Sequence, residues 1–353
     1  MTLAAPAGGG FQPVEEREHG ALARWRAWRL HWFPTAVGWA VVGVLGLVAL
    51  LRVVDWDGTT LLAVCNSLNG LFYLPVWLVL FVATAGRRPI LVLGALAIVV
   101  AQLAFAAPEL LASRAVPAWA GAAPTIRLLD ANVAADDDDT DMGGYAADIA
   151  RYRADLVTFE EATTSDDAGL KAAGAFAHLP HRFVVSRNDP WGFLIASRYP
   201  MRDVHVVYDG PHPFLVTATL LLPSGNIRLW VVHDYAPVAS LALWRLELGR
   251  IARLARSGGA SRLLVAGDFN ASWGSKGFSE ILGAGLTDAA AARARPFDMT
   301  WPQARWYPPL VRIDHVLVGA GLSATRLSAA TGPGSDHHEL VASIAVERSG
   351  HGG

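Results

Sequence analysis

Residues 262–270 read "RLLVAGDFN". The apolar run Leu263–Ala266 has the length of a buried strand, and it stops on Gly267, Asp268 and Asn270, residue types that also build turns. Packing alone gives a chain leaving a buried layer no reason to present a carboxylate and an amide together. The same arrangement recurs along the sequence. Asn132 closes "TIRLLDAN", Glu160 and Glu161 close "DLVTFEE", His233 closes "IRLWVVH", Asp314 stands in "RIDHVLV", and Asp336 and His337 lie in "GSDHH". Apolar runs that each finish in a carboxylate, amide or imidazole are explained together if their ends converge on one cleft.

The donor types indicate what such a cleft does. Carboxylate and amide oxygens with no cysteine among them suit a hard cation, Mg²⁺ or Mn²⁺, held by one or two carboxylates and substrate phosphate. Imidazoles beside that ion can bind phosphate or protonate a leaving group, and an aspartate can orient an imidazole or an attacking water. Hydrolysis of a phosphoester or phosphoanhydride uses all of these parts. The Asp136–Asp139 run is set apart from them, because adjacent like charges in one segment have no fixed geometry and read as a solvated loop.

From Thr125 onward short β-type runs alternate with turn residues and a few helical patterns. Tyr145, Ile149 and Tyr152 share one face of a first helix. A longer helix runs from about Ala239 to Ala255, with Leu243, Leu246 and Ile251 near its apolar side. Many strands with few helices imply an α+β layered sandwich rather than strict βαβ alternation.

Taken in order, the strand ends resemble the endonuclease/exonuclease/phosphatase superfamily, the deoxyribonuclease-I-like fold. The matching features are Asn132, Glu161, "GFLIASRYP" at 192–200, His233, "GDFN" at 267–270, "RIDHV" at 312–316 and "SDH" at 335–337. The resemblance implies an α/β fold, a four-layered α/β sandwich of two packed β-sheets flanked by helices. It also implies roles: Glu161 as the main metal ligand, assisted by Asn132 and Asp336; Asp268 positioning or activating water; Asn270 and His233 on the phosphoryl oxygens; and His337, oriented by Asp314, on the scissile phosphate. Two departures bear on detail. The usual Gln before the catalytic Glu is Glu160 here, a charge that either tightens metal binding or faces away, and "DYAP" follows His233 where relatives carry other residues.

The chain ahead of this region is apolar. Hydrophobic residues make up 53% of the sequence, above the usual globular share. The excess lies at 33–111, in three stretches starting at Phe33, Leu61 and Ile90 that each approach or exceed the ~20 residues a bilayer core demands. They read as three transmembrane helices, with Asn66 and Asn69 of the second as helix-to-helix hydrogen-bond partners. Arg17, Arg24, Arg26 and Arg29 precede the first span, and Arg87 and Arg88 join the second to the third. The positive-inside tendency therefore puts residues 1–32 in the cytoplasm and everything after the third span outside the cell membrane. Residues 112–124 read as an Ala/Pro-rich tether that holds the 125–346 domain within about 45 Å of the bilayer, and 347–353 as a flexible tail. Cys65 falls within a span, so an exported domain has no disulfide available.

From residue 125 the chain carries 21 Lys and Arg against 25 Asp and Glu, a net of −4. A nuclease offers a basic footprint, so nucleic acid is the weaker candidate substrate. The favoured reading is a membrane-anchored, metal-dependent phosphohydrolase acting on a phosphate-containing partner in the lipid bilayer, such as a lipid pyrophosphate or phospholipid head group. The tethered arrangement and "TWP" at 300–302 resemble a subgroup of bacterial membrane proteins that includes extracytoplasmic lipid-pyrophosphate phosphatases. Trp273, Trp301 and "WYPP" at 306–309 are rim aromatics that could meet headgroups. The alternatives are an extracytoplasmic nuclease and a binding or sensing module without turnover.

Overall fold

A computed structural model describes residues 14–135, 140–303 and 306–348, with side chains from Trp32 onward except that of Asp55. The Asp136–Asp139 run, residues 349–353 of the tail and the side chains of Arg17, Arg24, Arg26 and Arg29 lie outside the described residues. The chain divides into two units, residues 1–50 with 73–101, and residues 51–72 with 102–353.

The apolar region forms α1 (Val14–Asp55), α2 (Thr60–Ser67), α3 (Asn69–Phe72), α4 (Pro75–Ala85) and α5 (Pro89–Leu110). Trp32–Val54 and Pro89–Leu110 are long and apolar enough to cross a membrane. In the first unit Val44, Leu47, Phe81 and Leu93 are exposed, which an apolar solvent favours. The second expected span is not one straight helix: Thr60–Ser67 and Asn69–Ala85 meet at a bend of 86°. The break falls at the polar run Asn66, Ser67 and Asn69. Asn66 Nδ2 donates to the Trp56 carbonyl at 2.7 Å and to Asp57 Oδ1 at 3.0 Å, and Asn69 Oδ1 accepts from Arg52 Nη1 at 3.1 Å. Asn66 thus braces the turn around Trp56, while Asn69 makes the expected helix-to-helix bond, to Arg52 of α1.

The second unit contains two six-stranded sheets. The first has the order β11 (Leu322–Thr331), β12 (His338–Val346), β1 (Thr125–Asn132), β2 (Leu156–Glu160), β4 (Phe193–Ser197), β3 (His181–Val185). The second runs β5 (Met201–Asp209), β6 (His212–Leu220), β7 (Ile227–His233), β8 (Leu263–Asp268), β10 (Asp314–Val318), β9 (Thr287–Asp288). Strand periodicity sorts the side chains into layers. Leu264 and Ala266 join Leu128, Leu156 and Ile195 in the core between the sheets, while Leu263 and Val265 pack with Trp244 and Leu248 of α8 (Pro237–Gly258). Leu129 and Val157 face the other way, onto Tyr145 and Ile149 of α6 (Met142–Tyr152) and Leu170 of α7 (Thr164–Ala172). The result is the four-layered α/β sandwich. On α8 the apolar face is centred on Trp244, Leu248 and Ile251; Ile251 lies on it as expected, whereas Leu246 is 45% exposed.

Segments flanking the sandwich are tied to it. The Ala112–Pro124 stretch is pinned by Arg114 N donating to the Ala292 carbonyl at 3.2 Å, and Arg312 pairs with Glu109 of α5. Ala63 of α2 lies in the core formed with α8, and Trp56 Nε1 donates to the Gly274 carbonyl at 2.6 Å. The first half of the expected second span thus folds with the sandwich unit.

Register carries the fold to its function. Parallel pairing of β7 with β8 sets His233 opposite Asp268, and antiparallel pairing of β8 with β10 sets Asp314 opposite Asp268. Three polar residues therefore form one row across the second sheet. The row depends on Gly267, whose φ is +127° and whose missing Cβ would lie 2.1 Å from the Val232 carbonyl oxygen. Gly267→Ala should lower the unfolding temperature of the detergent-solubilised chain by several degrees, through a loss of about 2–4 kcal/mol. Gly121→Ala, with open space where its Cβ would be, should leave it unchanged; equal unfolding temperatures would refute this close approach.

Candidate active site

The ends of β1, β2, β7, β8 and β10 meet around Asp268. Asn132, at the end of β1, donates Nδ2 to Glu161 Oε1 at 2.9 Å and to Asp268 Oδ2 at 3.1 Å. Asp268 Oδ1 accepts the Asn270 backbone N–H at 2.7 Å, and its Oδ2 lies 3.9 Å from His337 Nε2. The other imidazole nitrogen, Nδ1, sits 3.1 and 3.0 Å from the two Asp314 oxygens. His233 Nε2 approaches Glu161 Oε1 at 3.3 Å, and Asp336 Oδ1 lies 3.8 Å from His337 Nε2. Of the residues singled out at the strand ends, all but Glu160 are thus joined to a neighbour by a contact of 3.9 Å or less. The Asn270 side chain donates to the Asp234 carbonyl at 2.9 Å, which fixes the loop after β8.

Two adjacent glutamates end β2 in opposite states. Glu160 keeps the strand's alternation and faces Asp130 between the sheets. Both of its carboxylate oxygens lack hydrogen-bond partners among the described residues. Burial first, and then the Asp130 carboxylate, push its pKa well above the usual range, which disfavours a negative charge at this position. Glu161 adopts φ +57°, a left-handed turn uncommon outside glycine, and this swings its carboxylate to Asn132 and His233. Burial opposes its ionisation, but the His233 and Asn132 contacts outweigh it and hold the pKa at about 2.

The same opposition separates Asp268 from His337. Burial and the neighbouring Asp314 raise Asp268 to about 7, near the value a neutral-pH proton acceptor needs. Burial would lower His337, yet Asp314 overrides it and raises the imidazole to about 10. Asp268, Asp314 and His337 offer ligand atoms within 4.8 Å of one another. The raised pKa of His337 favours an imidazolium paired with Asp314 within this group. The ionised Glu161, the Asn132 amide and the 36% exposed Asp336 carboxylate make an all-oxygen set whose chemistry fits a hard cation.

The sequence from 122 to 337 matches the family model described as "Endonuclease/Exonuclease/phosphatase family". The chain belongs to that family. No curated protein matches it. Among solved structures it is similar to D. rerio TDP2 complexed with single-strand DNA product, at 16% identity and a TM-score of 0.52 over 63% of this chain and 99% of that one. A Neisseria 3′ phosphatase, NExo, bound to a product DNA hairpin matches at 18% identity and 0.51, covering 62% and 98%. A Bacteroides thetaiotaomicron family protein matches at 13% and 0.50, covering 64% and 99%. At these identities the likeness concerns the fold, and the family identifies the chain as a phosphoester hydrolase.

Within this family site, some supports were not apparent from the sequence. Thr300 Oγ1 accepts the backbone N–H groups of Ile313 and Asp314 at 3.1 and 3.2 Å, fixing the start of β10. Ser335 Oγ donates to the Asn132 carbonyl at 2.8 Å and accepts His337 N–H at 3.0 Å, linking the "SDH" loop to β1. Trp301 Nε1 donates to Asp336 Oδ2 at 3.0 Å. Thr300, Trp301 and Ser335 belong to the short runs "TWP" and "SDH", so their positions carried a signal although their partners did not. The "DYAP" departure also has a structure: Asp234 is fully buried, while Tyr235 packs against Trp191 beside His233, with ring centroids 4.5 Å apart and planes inclined at 45°.

The His337–Asp314 pair predicts a pH dependence with a definite sign. The folded pKa lies above the ordinary 6.5, so the pair's stabilisation is complete below pH 6.5 and fades as pH rises toward 10. Asp314→Asn removes the charge that keeps the imidazole protonated. Turnover should fall on the order of 10²–10⁴-fold, and the alkaline limb of the pH–rate profile should move down by about one unit or more. An unmoved alkaline limb would count against the dyad.

Proposed function

We propose that this chain is a membrane-anchored, Mg²⁺-dependent phosphohydrolase whose catalytic unit lies outside the cytoplasm. Its substrate is a phosphoester or phosphoanhydride carried by a membrane-associated molecule, such as a lipid pyrophosphate or phospholipid head group. The observation that carries the reading is the contact chain Glu161–Asn132–Asp268–His337–Asp314, which joins an ionised carboxylate, a carboxyl near neutrality and a protonated imidazole in one cleft.

In this reading Glu161 is the main ligand of a divalent ion, assisted by Asn132 and Asp336, and that ion supplies Lewis-acid polarisation of the phosphoryl group. Asp268 takes the proton of the attacking water. His337, kept charged by Asp314, stabilises the phosphate or protonates the leaving oxygen. His233 and Asn270 serve the phosphoryl oxygens, with His233 also bonded to Glu161. A binding module without turnover would lack one of these groups, and this chain lacks none.

The two long apolar helices and the domain's net of −4 support a membrane-associated substrate over nucleic acid. Of the aromatics expected near headgroups, Trp273 is turned inward, with Nε1 bonded to Asp288 Oδ2 at 2.5 Å. Trp306, 95% exposed, and Trp301, 38% exposed, remain on the surface. Two similar structures contain DNA products, so nuclease activity is the competing reading.

Both readings can be compared in one preparation. Wild-type protein should release phosphate from a prenyl pyrophosphate only when Mg²⁺ is present, and Glu161→Gln and Asp268→Asn should each remove nearly all of this turnover, on the order of 10³-fold or more. Strongly salt-sensitive DNA cleavage without lipid turnover would favour the nuclease. Topology is tested separately: an export-dependent reporter should be active after Gly353 and silent in the 86–89 loop, and the reverse pattern would place the catalytic unit in the cytoplasm.

A further inference from the structure

Helix α8 contains the spacing Arg245, Gly249, Arg253, positions four residues apart that share one helix face. A cavity of about 370 Å³ opens against this face. Its remaining wall includes Lys276 and Glu280 of α9 (Lys276–Leu282), together with Val53, Val54, Trp56 and Asp57. Gly249 helps keep the space open, since a Cβ there would lie 3.3 Å from Arg253 Nη1.

The cations lining this cavity differ from their neighbours. Arg250 donates to the Tyr208 carbonyl and lies over the Phe214 ring, and Arg256 donates to the Glu280 carbonyl. Arg245, Arg253 and Lys276 have no ion-pair partner within 4.0 Å among the described residues, in contrast to Arg312 with Glu109 and Asp288. Of the two carboxylates in the wall, Asp57 already accepts Asn66 Nδ2 at 3.0 Å and Lys276 N–H at 2.7 Å. The cavity therefore combines excess positive charge with uncommitted guanidinium donors, a combination suited to the several oxygens of a phosphate group.

Its rim indicates what the phosphate is attached to. Val53 and Val54, 74% and 73% exposed, line the cavity and are the last residues of the apolar stretch Trp32–Val54. Basic groups and an exposed apolar edge at the end of a span are the complement of an anionic headgroup with its acyl chains.

We infer that the Arg245–Arg253–Lys276 cavity is a second site, separate from the carboxylate–imidazole cleft, that binds a phosphate-bearing anion, with a phospholipid headgroup as its source. Trp56 and Asp57 in its wall bond to Gly274 and Lys276, so an occupant adjoins the loop that follows Asn270.

The test is thermal unfolding of the full chain in uncharged detergent with added phosphatidylglycerol, phosphatidylcholine or inorganic phosphate. Phosphatidylglycerol should raise the wild-type midpoint by on the order of 5 °C at a hundredfold excess over its dissociation constant. The rise should vanish in the R245Q/R253Q/K276Q variant and in Gly249→Leu, which fills the cavity and keeps the charges. Inorganic phosphate giving the same rise would overturn the lipid source. An equal rise with phosphatidylcholine, or a rise retained in both variants, would overturn the site. The triple variant should hydrolyse a soluble phosphodiester as wild type does. The midpoint shift needs no turnover, so it decides this inference even if the phosphohydrolase reading fails.

Discussion

The carboxylate of Asp268 is the point on which the two sheets agree. Its Oδ2 accepts Asn132 from the first sheet at 3.1 Å, and its strand pairs with His233 on one side and Asp314 on the other. A change in the separation of the sheets would break the Asn132 contact, and a register slip of one residue would turn Asp268 to the opposite face. The apolar layer of Leu128, Leu156, Leu264 and Ala266 holds the separation, and the close approach of Gly267 to Val232 holds the register. Packing and chemistry therefore place the same demands on β8.

Around that point the protein separates carboxyl groups by environment. Glu160 and Glu161 are neighbours in sequence, but one left-handed residue puts the first among buried acids and the second against an imidazole. The inter-sheet face of β1 and β2 changes from Leu128 and Leu156 to Asp130, Thr158 and Glu160 as it nears the cleft, and Thr158 Oγ1 donates to Asp130 Oδ1 at 2.5 Å. Burial raises the pKa of both Asp130 and Glu160, so this layer beneath the site disfavours negative charge. Glu161 alone of these carboxyl groups is held below its ordinary value, because His233 and Asn132 together outweigh its burial.

The region entering the sandwich is part of its architecture. Trp56, Asp57 and Asn66 close a turn against Gly274 and Lys276, and Ser272 Oγ donates to the Ser67 carbonyl at 3.2 Å. Residues 271–276, which directly follow the "GDFN" run, thus have the turn at Trp56 and Asp57 and the end of α2 as packing partners. These contacts make the Trp56–Ser67 region one wall of the sandwich unit rather than a free segment.

Much of this protein was legible in the order of its residues. Period-two runs ending in Asn132, Glu161, His233, Asp268 and Asp314 identified strands and cleft, because alternation and strand-terminal polar groups are local properties. The apolar content marked the two helices long enough to cross a membrane for the same reason. Other features were decided only by the tertiary structure. Glu160 and Glu161 look alike until φ at one residue and burial at the other separate them. Thr300 and Ser335 gain roles from backbone groups distant in sequence, and the Leu61–Ala85 stretch looks continuous until Asn66 and Asn69 find partners around Trp56. Hydropathy records how much each residue avoids water; it carries no information about which distant donor will meet a buried polar group, and that pairing sets both the ionisation of the cleft and the path of the chain.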